Sequence, residues 1–262
     1  MSSNPLIPVA LAIVDFAYAI YPRKRPSQEA LQACKIISHR GEHDNKTVRE
    51  NTMEAFRVAR DAGAWGLEMD IRWTKDMVPI VHHDADTSRV FGKKLNIADV
   101  DFDTLRSKVP DVPTFKEFLD EFGGHCHLMI ELKAEPFPEL EKQKSILKDH
   151  LAQFKPFKDY HFLALDPEIF ETFNLEPRKA CLPVATFNIK KLSAIALQRG
   201  YRGLSGHFML FGKSMKTRHE AAGQIVGTGF PASRYCLYRE AARGVGWIFT
   251  NDAVKLLNII QE

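Results

Sequence analysis

The sequence predicts an α/β fold: a (β/α)8 TIM barrel carrying a small insertion after its second strand and an N-terminal helical extension. Three observations point there. Short apolar runs of strand length alternate with helical stretches along most of the chain, the signature of parallel βα units. Eight such units can be counted, the number that closes a barrel. A chain of 262 residues with 45% hydrophobic content can bury one large core, so residues 1–262 are read as one domain.

The extension covers residues 1–33. Its run from Pro5 to Ile20 is apolar enough to suggest a signal peptide or a membrane segment, but Asp15 interrupts it and the first basic residue, Arg23, follows the run instead of opening it. It also falls short of the about 20 apolar residues that a span requires. The expectation is an amphipathic helix packed on the barrel through Leu6, Val9, Leu11, Ile13 and Phe16, with contact to a membrane surface the less favoured reading. A short helix near 28–33 follows. Strands are expected near 34–38, 65–71, 126–132, 160–164, 180–184, 202–205, 224–227 and 245–249. Helices are expected near 51–62, 113–122, 138–153, 167–173, 188–199, 213–221, 231–242 and 252–261. The strand-like run 78–81 hairpins onto the second strand, and with the polar stretch from Ala85 to Pro110 it makes an insertion over about residues 72–112. A connection of that length is a lid or a pocket wall.

The net charge of +3, from 36 Lys+Arg against 33 Asp+Glu, offers neither a nucleic-acid groove nor a polybasic patch, and Arg23-Lys24-Arg25 is too short to supply one. Cys34, Cys126, Cys181 and Cys236 are widely spaced, with no Cys-x-x-Cys. They read as buried thiols rather than disulfides or zinc ligands, which favours a reducing, cytoplasmic setting. Asn45-Lys46-Thr47 fits a glycosylation sequon, a triplet common by chance.

The stretch from Ile36 to Asp84 carries most of the candidate chemistry. Side chains two apart on a strand share a face, so Glu68 and Asp70 project together from the second strand end. Glu131 and Lys133 stand in the same relation on the third. One such carboxylate alone reads as a rim salt bridge. Three on neighbouring strand ends make an oxygen-only set suited to one divalent cation, Mg²⁺ or Ca²⁺, and Lys133 adds a charge for an anion. His39 and His83 lie on different elements and titrate in the range an acid–base pair needs. His82 is turned by strand alternation to the face opposite His83. His127 shares a face with Glu131 but lies about 13 Å below it at the strand rise, a core or lower-rim position. Gly206 to Ser214 imitates a P-loop with the wrong glycine spacing and four bulky apolar residues inside it, and Ser205 lacks the spacing of a nucleophile elbow.

Taken in order, His39-Arg40-Gly41, Glu50-Asn51-Thr52, Glu68-Met69-Asp70, His83-Asp84 and Glu131-Leu132-Lys133 resemble the motif series of the glycerophosphodiester phosphodiesterase family. The likeness is dense over residues 36–133, and the segment 244–252 resembles the family's last strand. Phosphoinositide-specific phospholipases C are more distant, sharing the paired histidines and the Glu-x-Asp. The resemblance implies metal-dependent hydrolysis of a small-molecule glycerophosphodiester to an alcohol and glycerol 3-phosphate. It makes His39 and His83 the catalytic pair, puts Arg40 and Lys133 on the phosphate and Glu68, Asp70 and Glu131 on the metal, and sets Glu50 and Asn51 at the site's periphery, where helix capping competes as their role. The chain departs from the family at Val226–Pro231, where the usual Trp-Thr is missing, and at Thr250-Asn251-Asp252, where Thr-Asp is usual. His207 and Phe208 are candidates for the pocket of the alcohol portion. A lysophospholipase D-type phosphodiesterase working at a membrane surface and a non-enzymatic phosphodiester-binding barrel are the competing readings.

Overall fold

The computed structural model describes residue 14 and residues 16–262. Nine strands form one sheet: β1 (Lys35–His39), β2 (Gly66–Trp73), β3 (Pro79–Val81), β4 (His127–Leu132), β5 (Tyr160–Ala164), β6 (Cys181–Ala185), β7 (Gly203–His207), β8 (Ile225–Gly229) and β9 (Trp247–Thr250). Eight of them pair in parallel in the order β1-β9-β8-β7-β6-β5-β4-β2, and β1 also pairs with β2, which closes the ring. The ninth, β3, lies antiparallel on β2 outside the ring, with Ile71 opposite Val81. Strand positions agree with the sequence reading to within two residues at each end.

Strand alternation divides the side chains into two cores. Ile37, Met129, Leu163, Leu182, Trp247 and Phe249 come from five different strands and pack together, which is possible only in the barrel's lumen. The opposite faces of β2 and β4, with Leu67, Met69, Ile71, Leu128, Ile130 and Leu132, pack outward on Phe56 of α2 (Met53–Asp61) and Phe118 and Phe122 of α5 (Phe115–Phe122). Around the ring the other helices are α1 (Gln28–Gln32), α6 (Leu140–Leu151), α7 (Glu168–Thr172), α8 (Ile189–Arg199), α9 (Lys213–Ala221), α10 (Arg234–Ala242) and α11 (Ala253–Gln261). Helix α2 is capped by Thr52, whose side chain accepts from the Ala55 amide, so neither Glu50 nor Asn51 is spent on capping.

The insertion has more structure than its polar composition suggested. It contains α3 (Ser88–Phe91) and α4 (Phe102–Lys108), and Ile97, Leu105, Val109 and Val112 are buried with Ile80 of β3. Those apolar residues are separated by charged ones, which concealed a small core built against the hairpin. At the other end of the chain, residues 16–20 are helical. Phe16 is 65% exposed, so it does not make the expected barrel contact. Phe16 and Ile20 lie four apart on one outer stripe. Tyr18 instead meets Phe208 edge-on at 5.1 Å and carries Arg239 at 5.1 Å from its ring. Leu6, Val9, Leu11 and Ile13 lie outside the described residues. Among the described residues no helix is long and apolar enough to cross a membrane. No disulfide is formed among the described residues, and Cys34, Cys181 and Cys236 are buried.

The lumen floor, at the N-terminal strand ends, is aromatic and basic. His127 donates from Nδ1 to the Lys158 carbonyl at 3.1 Å and accepts at Nε2 from His161 Nδ1 at 2.7 Å. A carbonyl can only accept, so this chain assigns both tautomers. Trp65 stacks on His127 at 4.3 Å, and Trp247 meets His161 edge-on at 5.0 Å.

Candidate active site

The C-terminal strand ends gather the polar residues. Parallel register sets Asp70 beside Glu131 and His39 beside Glu68. From Glu68, Asp70 and Glu131, one carboxylate oxygen each lies within 4.8 Å of the others, and all three residues are buried. Lys133 Nζ is 2.6 Å from Asp70 Oδ1 and also touches Glu131. Arg40 Nε lies 3.2 Å from Asp70 Oδ2, which also accepts from the Asn51 side-chain amide at 2.8 Å.

Arg40 reaches the cluster because the chain turns sharply after β1. Arg40 and Gly41 both have positive φ, and a Cβ on Gly41 would come within 2.6 Å of the Ala55 backbone, so glycine is required where this turn rests on α2. The Arg40 amide then donates to the Glu68 carbonyl and to Glu68 Oε2, at 2.9 and 3.1 Å.

Three buried acids facing two cations leave an excess of negative charge. Burial, then the neighbouring Asp70 and Glu131 carboxylates, push Glu68 well above the usual carboxylate range. Burial acts on Asp70 in the same direction, but Lys133 and Arg40 outweigh it and hold Asp70 low. Glu68 Oε1 is buried with no hydrogen-bond partner. An all-oxygen donor set with an orphaned, destabilised carboxylate oxygen fits a hard divalent cation.

The two candidate histidines precede and follow Glu68 and Asp70 in sequence, and each is tied at Nδ1. His39 Nδ1 is 2.6 Å from Asn251 Oδ1 at the end of β9, and its Nε2 is 3.9 Å from Glu68 Oε2. Phe230, after β8, meets the ring edge-on at 5.2 Å. Burial and the Arg40 charge bring the His39 pKa down to about 3. His83 Nδ1 is 2.7 Å from Asp84 Oδ1, and the His83 carbonyl accepts from Arg72 Nε at 2.8 Å. Burial lowers His83 as well, opposed by the Asp70 charge and the hydrogen bond to Asp84. His82 is turned away: it is buried, and its Nε2 pairs with the Asp86 carbonyl at 3.1 Å inside the insertion.

Of the residues expected to act together, His39, Arg40, Glu68, Asp70, Glu131 and Lys133 form one contact network. His83 faces it through the Asp70 charge. His207 stacks on Phe208 at 4.4 Å and lies 6.1 Å from Phe230, near the site, whereas Phe208 is fully buried beneath Tyr18 and lines nothing open. In the sequence, Asn251 and Phe230 stand out only as parts of departures from the family pattern, and nothing marks Arg89. On the arc from β5 to β8, Leu165, Phe187, Met209 and Phe230 follow four successive strand ends and are 46%, 74%, 45% and 39% exposed.

The C-terminal strand ends of the closed parallel barrel thus gather an acidic cluster, two tethered histidines and two cationic side chains. The chain belongs to the glycerophosphoryl diester phosphodiesterase family, whose model matches residues 39–195. Among curated relatives it is similar to glycerophosphodiester phosphodiesterase 1 of Mus musculus, 36% identical over 120 residues that cover 38% of this chain and 35% of the relative. It is also similar to a glycerophosphodiester phosphodiesterase of Caldanaerobacter subterraneus, 33% identical over 141 residues that cover 48% of this chain and 54% of the relative. The chain thus matches about a third of the mouse protein and about half of the bacterial one. Among solved structures, an Oleispira antarctica phosphodiesterase in complex with the product sn-glycerol-3-phosphate superposes with a TM-score of 0.74 at 20% identity, covering 89% of this chain and 99% of that one. At that identity the likeness is one of fold.

Proposed function

We propose that this barrel hydrolyses a glycerophosphodiester to an alcohol and glycerol 3-phosphate, with one divalent cation, Mg²⁺ or Ca²⁺, held by Glu68, Asp70 and Glu131. A cation bound there supplies Lewis-acid polarisation of the phosphate and a fixed point for its oxygens. Arg40 and Lys133, already paired with those carboxylates, hold the phosphate by a planar fork and a point charge. His39, half-buried against a neutral amide, is the neutral base that takes the proton of the attacking oxygen at Nε2. His83, backed by the Asp84 carboxylate, carries the proton that its Nε2 gives to the departing alkoxide. The observation that carries this reading is the tethering of both Nδ1 atoms, which leaves both Nε2 atoms for chemistry beside a cation-seeking acid cluster. The product-bound Oleispira antarctica relative supports the substrate. The test is release of choline and glycerol 3-phosphate from glycerophosphocholine, with and without chelator. No release under saturating Mg²⁺ or Ca²⁺ rejects the reading.

A second reading keeps the chemistry and changes the substrate to a lysophospholipid, whose glycerol carries an acyl chain. The four exposed apolar side chains between β5 and β8 favour a diester with an acyl chain, as in a lysophospholipid. A kcat/KM for lysophosphatidylcholine above that for glycerophosphocholine, reversed in Phe187→Ser, would select it.

A further inference from the structure

Arg89 stands on α3 of the insertion, outside the barrel, yet it joins two segments of the site. Its Nε donates to Asp84 Oδ2 at 2.5 Å, and its two terminal nitrogens donate to Glu50 Oε2 and Oε1 at 2.9 and 2.6 Å. The other Asp84 oxygen is the one that His83 Nδ1 holds at 2.7 Å. Glu50 also accepts from Arg40 at 2.9 Å and from the Asn45 amide at 2.7 Å, and it is only 3% exposed. Hydrogen bonds and ion pairs therefore run without a break from His83 through Asp84, Arg89, Glu50 and Arg40 to Asp70.

The two carboxylates that Arg89 joins are unequal. Glu50 is the fixed one, buried and held by three donor side chains. Asp84 lies just past the end of β3, on a surface segment, and a lone aspartate there has several rotamers open to it. The planar fork of Arg89 binds Glu50 through two nitrogens and leaves the third to hold Asp84 in one direction, which a lysine ammonium cannot reproduce. An exposed ion pair contributes little to stability, and here its geometry serves orientation.

We propose that Arg89 is a positioning residue for the reaction assigned above: anchored on Glu50, it fixes Asp84 and thereby the ring of His83. The inference rests on His83 acting in that reaction. It makes the insertion a clamp on a catalytic ring.

The test is a double-mutant cycle on glycerophosphocholine hydrolysis with metal saturating. Arg89→Met lowers kcat by about 10- to 100-fold, the scale on which lost orientation costs rate, with KM changed by less than about threefold. In an Asp84→Ala background the same change costs less than about twofold, because the connection it serves is gone. Arg89→Lys recovers thermal stability and leaves kcat low, whereas a merely structural role would let both recover together. Losses that multiply independently, or a KM effect without a kcat effect, overturn the proposal. His83→Ala separates the two readings. If it is fully active, the functional reading falls. If it is inactive while Arg89→Met is unaffected, only the role of Arg89 falls.

Discussion

The two ends of the barrel lumen each hold a pair of histidines pushed below the ordinary imidazole range mainly by burial, and they use them in opposite ways. At the floor, His127 and His161 pair with each other and with one carbonyl beneath Trp65 and Trp247, in an arrangement that cannot hold with both rings protonated. At the top, His39 and His83 are tied to separate segments at Nδ1 and are not paired to one another there, beside three carboxylates that repel each other. The floor is polar structure with little left unmet. The top keeps electrostatic stress in place, and stress of that kind is tolerated where function requires it.

The largest expected effect tests the stress itself. Chelation should abolish phosphodiester hydrolysis and Mg²⁺ or Ca²⁺ should restore it, while Glu68→Ala and Asp70→Ala should stay inactive at ordinary metal concentrations. A site of three oxygens is open and exchanges quickly. In the metal-free protein Glu68→Gln should raise the melting temperature, by a free energy of about 1 kcal/mol, because it removes a carboxylate that its neighbours and burial already disfavour. A lowered melting temperature would mean that Glu68 is a structural partner and that the two lumen ends do not differ as argued.

Next come the histidines. His39→Ala and His83→Ala should each lose about 10²–10⁴-fold in kcat. His82→Ala should keep most of its activity and lose about 1 kcal/mol of stability, the net worth of its bond to the Asp86 carbonyl. Measuring kcat and melting temperature on the same three proteins separates the adjacent pair. An inactive His82→Ala beside an active His83→Ala would reverse the assignment.

How much of this was legible follows from what each residue depends on. Clustering of Glu68, Asp70, Glu131 and Lys133 was readable because it needs only strand alternation and neighbouring parallel strands. The same alternation separated His82 from His83. The role of Asn251 was not readable, because its side chain meets His39 only when β9 closes on β1, a contact between residues 212 apart in sequence. Arg89 was hidden for a related reason: its partners Asp84 and Glu50 come together only once the insertion has folded on its own core. In the N-terminal helix, hydrophobicity alone could not phase the helix, and Tyr18, with a ring that suits Arg239, took the contact expected of Phe16.

A smaller effect sharpens the top of the barrel. Asn251→Asp places a carboxylate at His39 Nδ1, which favours the protonated ring and raises its pKa. A base must be neutral to act, so the acid limb of the kcat/KM profile should move to higher pH, with the loss confined to the acid side. Asn251→Ala should instead lower kcat across the profile. An unshifted acid limb in Asn251→Asp would remove His39 from the role of base.

The smallest effect on activity is expected at the floor, where the readout is stability. Burial brings His127 down to about 4 from an ordinary value of 6.5, and burial and the neighbouring His127 lower His161 in the same direction. Between those pH values the unfolded chain binds protons that the folded chain refuses, so unfolding becomes easier as pH falls. The contribution is fully present above pH 6.5 and is lost progressively as pH drops toward 4, amounting to about 3 kcal/mol for His127 by the conversion of about 1.4 kcal/mol per pKa unit. Denaturant unfolding at pH 7.5 and pH 5 measures it. The double variant His127→Phe/His161→Phe should lose less stability between those two pH values than the parent, with glycerophosphocholine turnover at pH 7.5 unchanged within about twofold. If the double variant were as acid-sensitive as the parent, the acid sensitivity would belong to other buried groups, and the floor histidines would be silent in both stability and catalysis.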